Sequence, residues 1–363
     1  GTFISALLLL VDRPWRNSLN RMAELMTVMA VICAGIYPVL HLGRPWLFYW
    51  TAPYPNTMDL WPQFKSPTAW DFFAVLVYLG VSLIFLYIGS IPDFAAARDR
   101  GGKRHYRVFY GLLALGWRGS AADWSHWRRT YRFLALLAVP LVFAVSSGYS
   151  FLLDLAPQSG WHSTVFPPYF VAGAIFSGFA MVVVIAVALR RFFRWEMFIT
   201  TGHLDKLGLL LLASGLMTSY GYVAEPFMAF YSGKEHEILV NMSRMTGPMA
   251  WSFWVAILLN VVVLQALWWP AVRRSARAML GIALAVLVGM WCERYMLVAH
   301  PPTRDFLVSS WRGYSPTFWD WALFAGTFGL FLVPFLLFMR FVPMISSFEL
   351  KQALHRYRGG TDG

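Results

Sequence analysis

Residues 168–189 read PYFVAGAIFSGFAMVVVIAVAL, a run of 22 residues without a charged side chain. About 20 apolar residues in a helix cross the roughly 30 Å of hydrocarbon in a bilayer. A helix is favoured there because it pairs its own backbone N–H and C=O groups. The stretch therefore predicts a membrane-spanning helix. The composition agrees, because only 13% of the 363 residues are charged, too few to cover a soluble protein of this size.

Seven other apolar runs have a similar length, so the predicted fold class is an all-α polytopic membrane protein with eight complete spans. These runs lie near residues 22–42, 69–91, 132–153, 207–230, 248–270, 278–299 and 318–341. The first eleven residues, GTFISALLLLV, are apolar but too short to cross a bilayer. We interpret residues 1–21 as the end of a truncated span followed by a cytoplasmic loop.

The distribution of positive charge predicts the orientation, because cytoplasmic connections are enriched in Lys and Arg. Over successive connections, 23 of the 30 Lys and Arg fall on one alternate set and 6 on the other, while Arg294 lies within a span. The basic set includes the loop 92–131 and the C-terminal tail, which we therefore expect in the cytoplasm. The net charge of +12 then reflects topology and contact with anionic lipid. Nucleic acid is not an expected partner.

Six ionisable residues lie at the outward ends of the predicted spans, where they are expected to form one polar site near the outer membrane face. They are His41, Asp71, Asp154, Glu225, Glu293 and Arg294. A charge at the centre of a membrane helix costs roughly 2.5–3.5 kcal/mol on insertion scales, and less near an interface. Such residues are therefore expected to pair with one another or to act on a ligand.

Structural roles compete with functional ones at two helix ends. Asp71 lies in SPTAWDF (66–72), which has capping-box spacing at a helix start, and Asp320 lies in the matching SPTFWDW (315–321). We expect Asp320 to cap its helix, whereas capping and ligand binding both stay open for Asp71. His41 ends a span, where the helix dipole favours an imidazolium and where a neutral ring could exchange a proton with a ligand.

The other four residues leave similar alternatives. Asp154 has no cation in its own loop, which favours a functional role. Glu293 and Arg294 are adjacent and point about 100° apart on a helix, so at least one is expected to meet another helix. That contact could serve structural pairing or ligand binding. Glu225 precedes Pro226 and could carry protons or simply reach water from a helix end.

Absent motifs limit the chemistry. None of the eight histidines lies at the middle of a predicted span, so axial ligation of haem inside the bundle is not expected. Cys33 and Cys292 are isolated in apolar spans, without the spacing of an iron–sulfur or zinc site, and are interpreted as small core residues. The sequence also lacks nucleotide-binding loops and hydrolase nucleophile motifs. Any redox centre is therefore expected in a partner.

Several long motifs together resemble one family. They are NRMAELMTVMAVICAGIYPVLHLGRPW (20–46), SPTAWDF (66–72), GWHSTVFPPYFVAGAIFSGFAMV (160–182), YGYVAEPFMAFYSG (220–233) and CERYMLVAHPPTRDF (292–306). These stretches resemble the NrfD/PsrC family of integral membrane quinone-binding subunits. Within that family they most resemble the ActC subunit of bacterial alternative complex III.

The resemblance implies a fold of two four-helix bundles. These are expected at residues 22–206, which include the basic cytoplasmic loop 92–131, and at residues 207–341. Residues 342–363 are then a cytoplasmic interfacial tail. The implied localisation is the bacterial cytoplasmic membrane.

The resemblance also implies a quinol oxidase site near the periplasmic face, with menaquinol or ubiquinol as substrate and no haem or iron–sulfur cluster held by this chain. By position, the catalytic residues are His41 and Asp71, which also bind the quinol. Asp154 and Arg294 are implied as further quinol-binding residues.

The implied partners are an iron–sulfur subunit on the periplasmic side, cytochrome c subunits, a paralogous NrfD-like membrane subunit and small membrane subunits. Proton translocation is a further expectation, with Glu225, Tyr220 and Glu293 as the candidate proton path. Two other functions stay open. A secondary transporter predicts charges and broken helices near the bilayer midplane, and a structural membrane anchor predicts that the polar cluster has no role in turnover.

Overall fold

The computed structural model describes residues 1–12, 19–40, 44–51, 67–100, 102–156, 158, 160–161 and 163–341. In these residues the α-helices are α1 (Thr2–Leu10), α2 (Asn20–Leu40), α3 (Pro67–Arg100), α4 (Arg104–Leu113), α5 (Ala121–Asp154), α6 (Phe166–Phe192), α7 (Thr201–Ser232), α8 (Glu235–Thr246), α9 (Ala250–Ile257), α10 (Pro270–Arg274), α11 (Ala276–Ala299) and α12 (Phe318–Phe341). Short 3₁₀ segments at Pro45–Thr51, Pro301–Thr303 and Val308–Ser310 lie in the connections.

Eight helical segments in the described residues are long and apolar enough to cross a membrane, which confirms the predicted all-α fold with eight spans. They are α2, α3, α5, α6, α7, the segment Ala250–Trp268, α11 and α12. Several are longer than their apolar runs. At 34 residues each, α3 and α5 extend for about 51 Å, so their polar ends project beyond the hydrocarbon.

Local sequence explains several helix boundaries. Before α12, Thr317 N donates to Asp320 Oδ2 at 2.7 Å and Asp320 N donates to Thr317 Oγ1 at 3.4 Å. This capping box confirms the cap expected of Asp320. At the other end of a long helix, α7 stops at Gly233, whose φ of 66° is in the left-handed region that glycine adopts without strain.

The sixth span departs from regular α-helix. It continues from α9 through a π-helical turn at Leu258–Val262 into a 3₁₀ segment at Val263–Trp268. Such a π turn is rare and often marks a functional position, because it rotates the side chains that follow it. Here it contains Asn260, which is fully buried. A Cβ on Gly289 of α11 would lie 2.3 Å from Asn260 Oδ1, so only glycine allows this close approach.

The chain divides into two compact units. The first comprises Gly1–Tyr49, Val75–Val142 and Leu323–Gly363, and the second comprises Trp50–Ala74 and Phe143–Ala322. Within the second unit, α6 packs against α7 and α11, and α11 also packs against α9. The expected boundaries of the two four-helix bundles, 22–206 and 207–341, stay a prediction. The expected tail, 342–363, lies outside the described residues.

The first unit contains buried charges that sequence reasoning did not single out. Arg21 forms an ion pair with Asp93 at 2.7 Å, and both side chains are almost fully buried. Glu24, also buried, accepts hydrogen bonds from Ser5 Oγ at 2.5 Å and from Tyr131 OH at 2.8 Å. These residues lie inside helices rather than in a loop, so they hold α1, α2, α3 and α5 together by polar contacts within the unit.

Candidate functional site

Five of the six ionisable residues expected at the outward helix ends belong to the second unit. They are Asp71, Asp154, Glu225, Glu293 and Arg294. The sixth, His41, lies outside the described residues. Cys33 and Cys292 are both free and buried, as expected of core residues.

Arg294 on α11 is built against an aromatic ring of α6. Its guanidinium carbon lies 3.9 Å from the ring centroid of Phe170, a cation–π distance. Gly173 leaves room for the guanidinium, because a Cβ there would lie 3.0 Å from Arg294 Nη2. The buried Nη1 atom has no hydrogen-bond partner among the described residues. With 31% of its side chain exposed, Arg294 still has donors to offer a ligand.

Tyr149 on α5 brings Asp71 into the same neighbourhood. Its ring centroid lies 6.2 Å from that of Phe170, and the charges of both Arg294 and Asp71 act on its hydroxyl. Asp71 is half-buried near the start of α3, and 47% of Tyr149 is exposed. We call these four residues, Asp71, Tyr149, Phe170 and Arg294, the ring cluster. It brings together the half-exposed ring of Tyr149, a guanidinium stacked on the buried ring of Phe170, and one carboxyl group.

Glu293, next to Arg294 of the ring cluster, is buried in the protein interior. It is fully buried, and its Oε2 atom accepts a hydrogen bond from the hydroxyl of Tyr222 on α7. Asn260 of the π turn donates through Nδ2 to the same hydroxyl at 2.7 Å. The expectation that Glu293 or Arg294 meets another helix is therefore confirmed. The two also approach each other, with Glu293 Oε1 3.5 Å from Arg294 Nη2.

Tyr169 on α6 lies between the two buried carboxyl groups. It is 3% exposed, and its ring packs edge-on against that of Tyr222 at 5.7 Å. The charges of Glu293, Glu225 and Arg294 all act on its hydroxyl. That hydroxyl interacts with Glu293 and Tyr222, but within the described residues it meets no partner at normal hydrogen-bond geometry. A buried hydroxyl is costly to leave unpaired, so this one is placed to exchange a proton or to hold a water molecule.

Glu225 is held by an arginine that sequence reasoning missed. Arg244 on α8 forms a buried ion pair with Glu225 and donates from Nη2 to the carbonyl of Gly160 at 2.6 Å. Gly160 has a φ of 84°, and a Cβ there would lie 2.8 Å from Arg244 Nη2. Arg244 lies between the predicted spans 207–230 and 248–270, where no sequence motif marked a buried cation.

A cavity of about 200 Å³ lies beside this ion pair. Its charged lining consists of Asp154, Glu225, Lys234 and Glu237, and hydroxyl groups of Ser163 and Ser232 contribute to its wall. We call it the acidic cavity. A cation, Lys234, lines the same cavity as Asp154 although it comes from a different connection. Asp154 and Glu225, expected in different roles, therefore line the same space.

The connection after α11 braces this region. His300 is fully buried and lies 2.9 Å from Ser243 Oγ through its Nε2 atom, and Arg304 donates to Ser243 Oγ at 3.3 Å. Arg304 also donates to the carbonyl of Arg312 at 2.7 Å. Burial lowers the pKa of the Arg304 guanidinium. These contacts fix α8, and with it Arg244, against the end of α11.

Tyr220, expected on the proton path, is 74% exposed, whereas Tyr222 two residues later is buried against Glu293. A sequence signal for this difference exists. Tyr222 and Glu225 are three residues apart, so they share a face of α7, while Tyr220 points elsewhere. The positions of Tyr169 and Asn260 had no such signal, because each depends on a contact between helices far apart in the sequence.

The comparisons with known proteins agree with this architecture. The family described as Polysulphide reductase, NrfD matches residues 1–301. A selenate reductase subunit from Mesobacillus selenatarsenatis is 22% identical over 377 residues, covering 99% of this chain and 85% of that protein. A putative membrane subunit of dimethyl sulfoxide reductase from Halobacterium salinarum is 28% identical over 249 residues, covering 67% of this chain and 48% of that protein.

The resemblance found in the sequence motifs is therefore confirmed at the level of the family, while the closer likeness to ActC stays a prediction. The family match covers more than half of the chain, and eight of the described helices can cross a bilayer. This chain belongs to the NrfD family and is a multi-pass integral membrane protein.

Proposed function

We propose that this chain is the quinol-binding membrane subunit of a respiratory or photosynthetic electron-transfer complex in the bacterial cytoplasmic membrane. It oxidises menaquinol or ubiquinol near the periplasmic face and passes the electrons to an adjacent iron–sulfur subunit. Membership of the NrfD family supports the proposal. So do two similar proteins whose names describe subunits of reductases. The observation that carries it is the ring cluster.

The ring cluster suits a quinol because a quinol is a flat ring with two hydroxyl groups. Tyr149 offers an exposed aromatic face for the ring, while Arg294, held over the buried ring of Phe170, can donate to one oxygen and Asp71 can accept from a hydroxyl. The partial exposure of Tyr149 and Arg294 leaves a way in from the lipid. These residues lie near the start of α3 and α6 and the end of α5 and α11. Positive-charge counting predicts that these ends face outward.

Oxidation of one quinol releases two electrons and two protons. The electrons leave in turn to the iron–sulfur cluster of the partner and then to cytochrome c subunits. One proton passes to the carboxylate of Asp71, and His41 is the proposed acceptor of the other. The family resemblance implies that Asp154 binds the quinol. Its position at the acidic cavity instead favours a role in proton release.

The buried polar groups then form a proposed path for protons, which contributes to the membrane gradient. It runs from the ring cluster through Glu293 with Tyr222, past Tyr169, to Glu225 and the acidic cavity. Each group along it is a carboxyl or a hydroxyl group, which can both accept and donate a proton when protonated. Tyr222 and Tyr169 take the place expected of Tyr220 because they are buried beside the carboxyl groups.

The test uses the assembled complex, purified with all its subunits, and measures quinol oxidation with an artificial electron acceptor. Asp71→Asn and His41→Ala are expected to lower kcat by about a hundredfold, the usual effect of losing a general base. Arg294→Gln is expected to raise KM for quinol more than it lowers kcat, because it orients the ring. Retention of the partner subunits shows that each variant complex is still assembled.

Asp320→Asn is the matched control, because it changes the same residue in the repeated motif SPTFWDW, where the carboxylate only caps α12. It is expected to turn over quinol at the normal rate. If both Asp71→Asn and His41→Ala retain full turnover in an assembled complex, the proposed site is wrong. The chain is then a structural anchor or a transporter, and uptake of solutes by quinol-free proteoliposomes decides between these two.

A further inference from the structure

The short helix α4, in the first unit, packs against α3 through Tyr110 and its C-terminal end. The ring of Tyr110 stacks on Phe94 with centroids 6.4 Å apart, and the carbonyl of Leu113 accepts a hydrogen bond from Tyr87 OH at 2.7 Å. Ala114, directly after the helix, is fully buried. These contacts fix α4 on the end of α3.

Another side of α4 is apolar and exposed. Val108 is 56% exposed, Leu112 is 73% exposed, and Leu115 just beyond the helix is 68% exposed. Val108 and Leu112 are four residues apart on one face of α4, and Leu115 follows the end of the helix with a φ of 48°; we call these three residues the apolar line. Exposing this apolar line to water is unfavourable, and contact with lipid acyl chains would remove it from water.

Arginines lie directly beside this line. Arg98, Asp99, Arg104, Arg107 and Val108 surround a shallow surface cavity of about 530 Å³. Arg98 is held in place by Asp99 at 2.8 Å and by the carbonyl of Trp117 at 3.0 Å. Three arginines and one aspartate leave the cavity with a net positive lining, and Arg104 and Arg107 are exposed.

Tryptophans mark the same end of α3 and α5 as a membrane interface. The rings of Trp117 and Trp124 meet edge to face at 4.8 Å, and those of Trp124 and Trp127 at 5.7 Å. Tryptophan is enriched at the level of lipid headgroups, where its ring is apolar and its N–H stays hydrated. The arginine-lined cavity is therefore placed at headgroup level, and the apolar line of α4 lies next to it.

We propose that this cavity binds the phosphate of one anionic phospholipid, whose acyl chain lies along Val108, Leu112 and Leu115. The guanidinium groups of Arg104 and Arg107 match a phosphate in charge and geometry. A free phosphate ion would satisfy the arginines but leave the apolar line uncovered. A phospholipid satisfies both features, which is why it is the occupant that the surface favours.

The test counts lipids retained by the purified, assembled complex in native mass spectrometry, after delipidation and titration with phosphatidylglycerol or phosphatidylcholine. Wild-type complex is expected to hold one phosphatidylglycerol more tightly than any phosphatidylcholine. The double variant Arg104→Gln/Arg107→Gln is expected to weaken that binding by roughly tenfold or more, since each basic residue near an anionic surface contributes to attraction. Leu112→Gln is expected to weaken phosphatidylglycerol binding without affecting partner subunits.

The control variant Arg128→Gln/Arg129→Gln removes the same charge from exposed positions on α5 that do not line the cavity. It is expected to bind phosphatidylglycerol as the wild type does. Equal losses in the two double variants would show diffuse electrostatic attraction and overturn the proposal. Equal binding of the two lipids, or displacement of phosphatidylglycerol by millimolar inorganic phosphate, would also overturn it. All these measurements are independent of quinol turnover, so the proposed function can fail without affecting them.

Discussion

In Tyr169, the role of the hydroxyl group can be tested separately from the packing of the ring. Its ring fills space against Tyr222, whereas its hydroxyl is buried without a partner at normal hydrogen-bond geometry among the described residues. Tyr169→Phe is therefore expected to leave the free energy of unfolding within about 1 kcal/mol of the wild type. If the hydroxyl relays protons between Glu293 and Glu225, quinol turnover should fall by about tenfold. Steady-state kinetics and thermal unfolding of the assembled complex check both parts.

Tyr231→Phe is the control for this change, because Tyr231 lies on the same helix as Tyr222 with 78% of its surface exposed. It is expected to change neither stability nor turnover. A Tyr169→Phe complex that turns over at the normal rate would remove Tyr169 from the proton path and leave it as a packing residue.

The buried ion pair of Glu225 and Arg244 leads to a prediction about the free energy of unfolding. Arg244→Gln leaves a buried carboxylate without its cation, which typically costs about 3–5 kcal/mol. Glu225→Gln/Arg244→Gln removes both charges and is expected to be more stable than the single variant. Arg274→Gln is the control, because Arg274 is 65% exposed and lies 4.0 Å from Asp205, so its loss should cost less than about 1 kcal/mol. Equal stability of the single and double variants would contradict this account.

At the scale of the element, the π turn in the sixth span depends on a glycine of the neighbouring helix. Gly289→Ala places a Cβ 2.3 Å from Asn260 Oδ1 and 3.0 Å from the Cβ of Leu259. We expect it to destabilise the protein by about 1–3 kcal/mol, the cost of overpacking. Because Asn260 also donates to Tyr222, turnover should fall with it. Chemical unfolding and kinetics of the same preparation measure the two effects.

Gly281→Ala tests whether this loss is specific. Gly281 lies on the same helix, α11, and a Cβ there meets nothing within 4 Å. Alanine is favoured over glycine in a helix by up to about 1 kcal/mol, so this variant should be as stable as the wild type or slightly more stable. If the two alanine variants behave alike, the close approach at Gly289 does not hold the π turn in place.

The spans were predictable from sequence, but the π turn was not. Hydropathy runs found all eight spans, because bilayer thickness imposes a length that apolar side chains report directly. The cap at Asp320 was also predictable, since its partners are three residues away. The π turn depends instead on contacts with Gly289 and Tyr222, which are distant in the sequence. Hydropathy does not distinguish it from an α-helix, because a hydropathy average does not depend on where each side chain points.

At the scale of the whole molecule, the sequence identified the individual polar residues of the site but did not show how they are arranged in space. Counting charges placed Asp71, Asp154, Glu225, Glu293 and Arg294 at one set of helix ends. The structure places Asp71 and Arg294 in the ring cluster and Asp154 and Glu225 at the acidic cavity, whereas Glu293 is buried against Tyr222. Sequence could not show this division, because it depends on Arg244 and Tyr169 reaching across from other helices. Burial of Glu225 and Glu293 thus follows from partners that are separated from them along the chain.

The orientation of the whole molecule can be tested with introduced cysteines, because the two cysteines of the chain itself are buried. Cys33 and Cys292 are 7% and 2% exposed, so a membrane-impermeant maleimide should not label the native chain. Lys234→Cys, on the acidic cavity, is expected to react in intact cells because the positive-charge distribution places its loop outside. Arg118→Cys, which is exposed beyond α4, should react only in inverted membrane vesicles. The opposite pattern would place the ring cluster at the cytoplasmic face, and protons from quinol would then not leave to the outside.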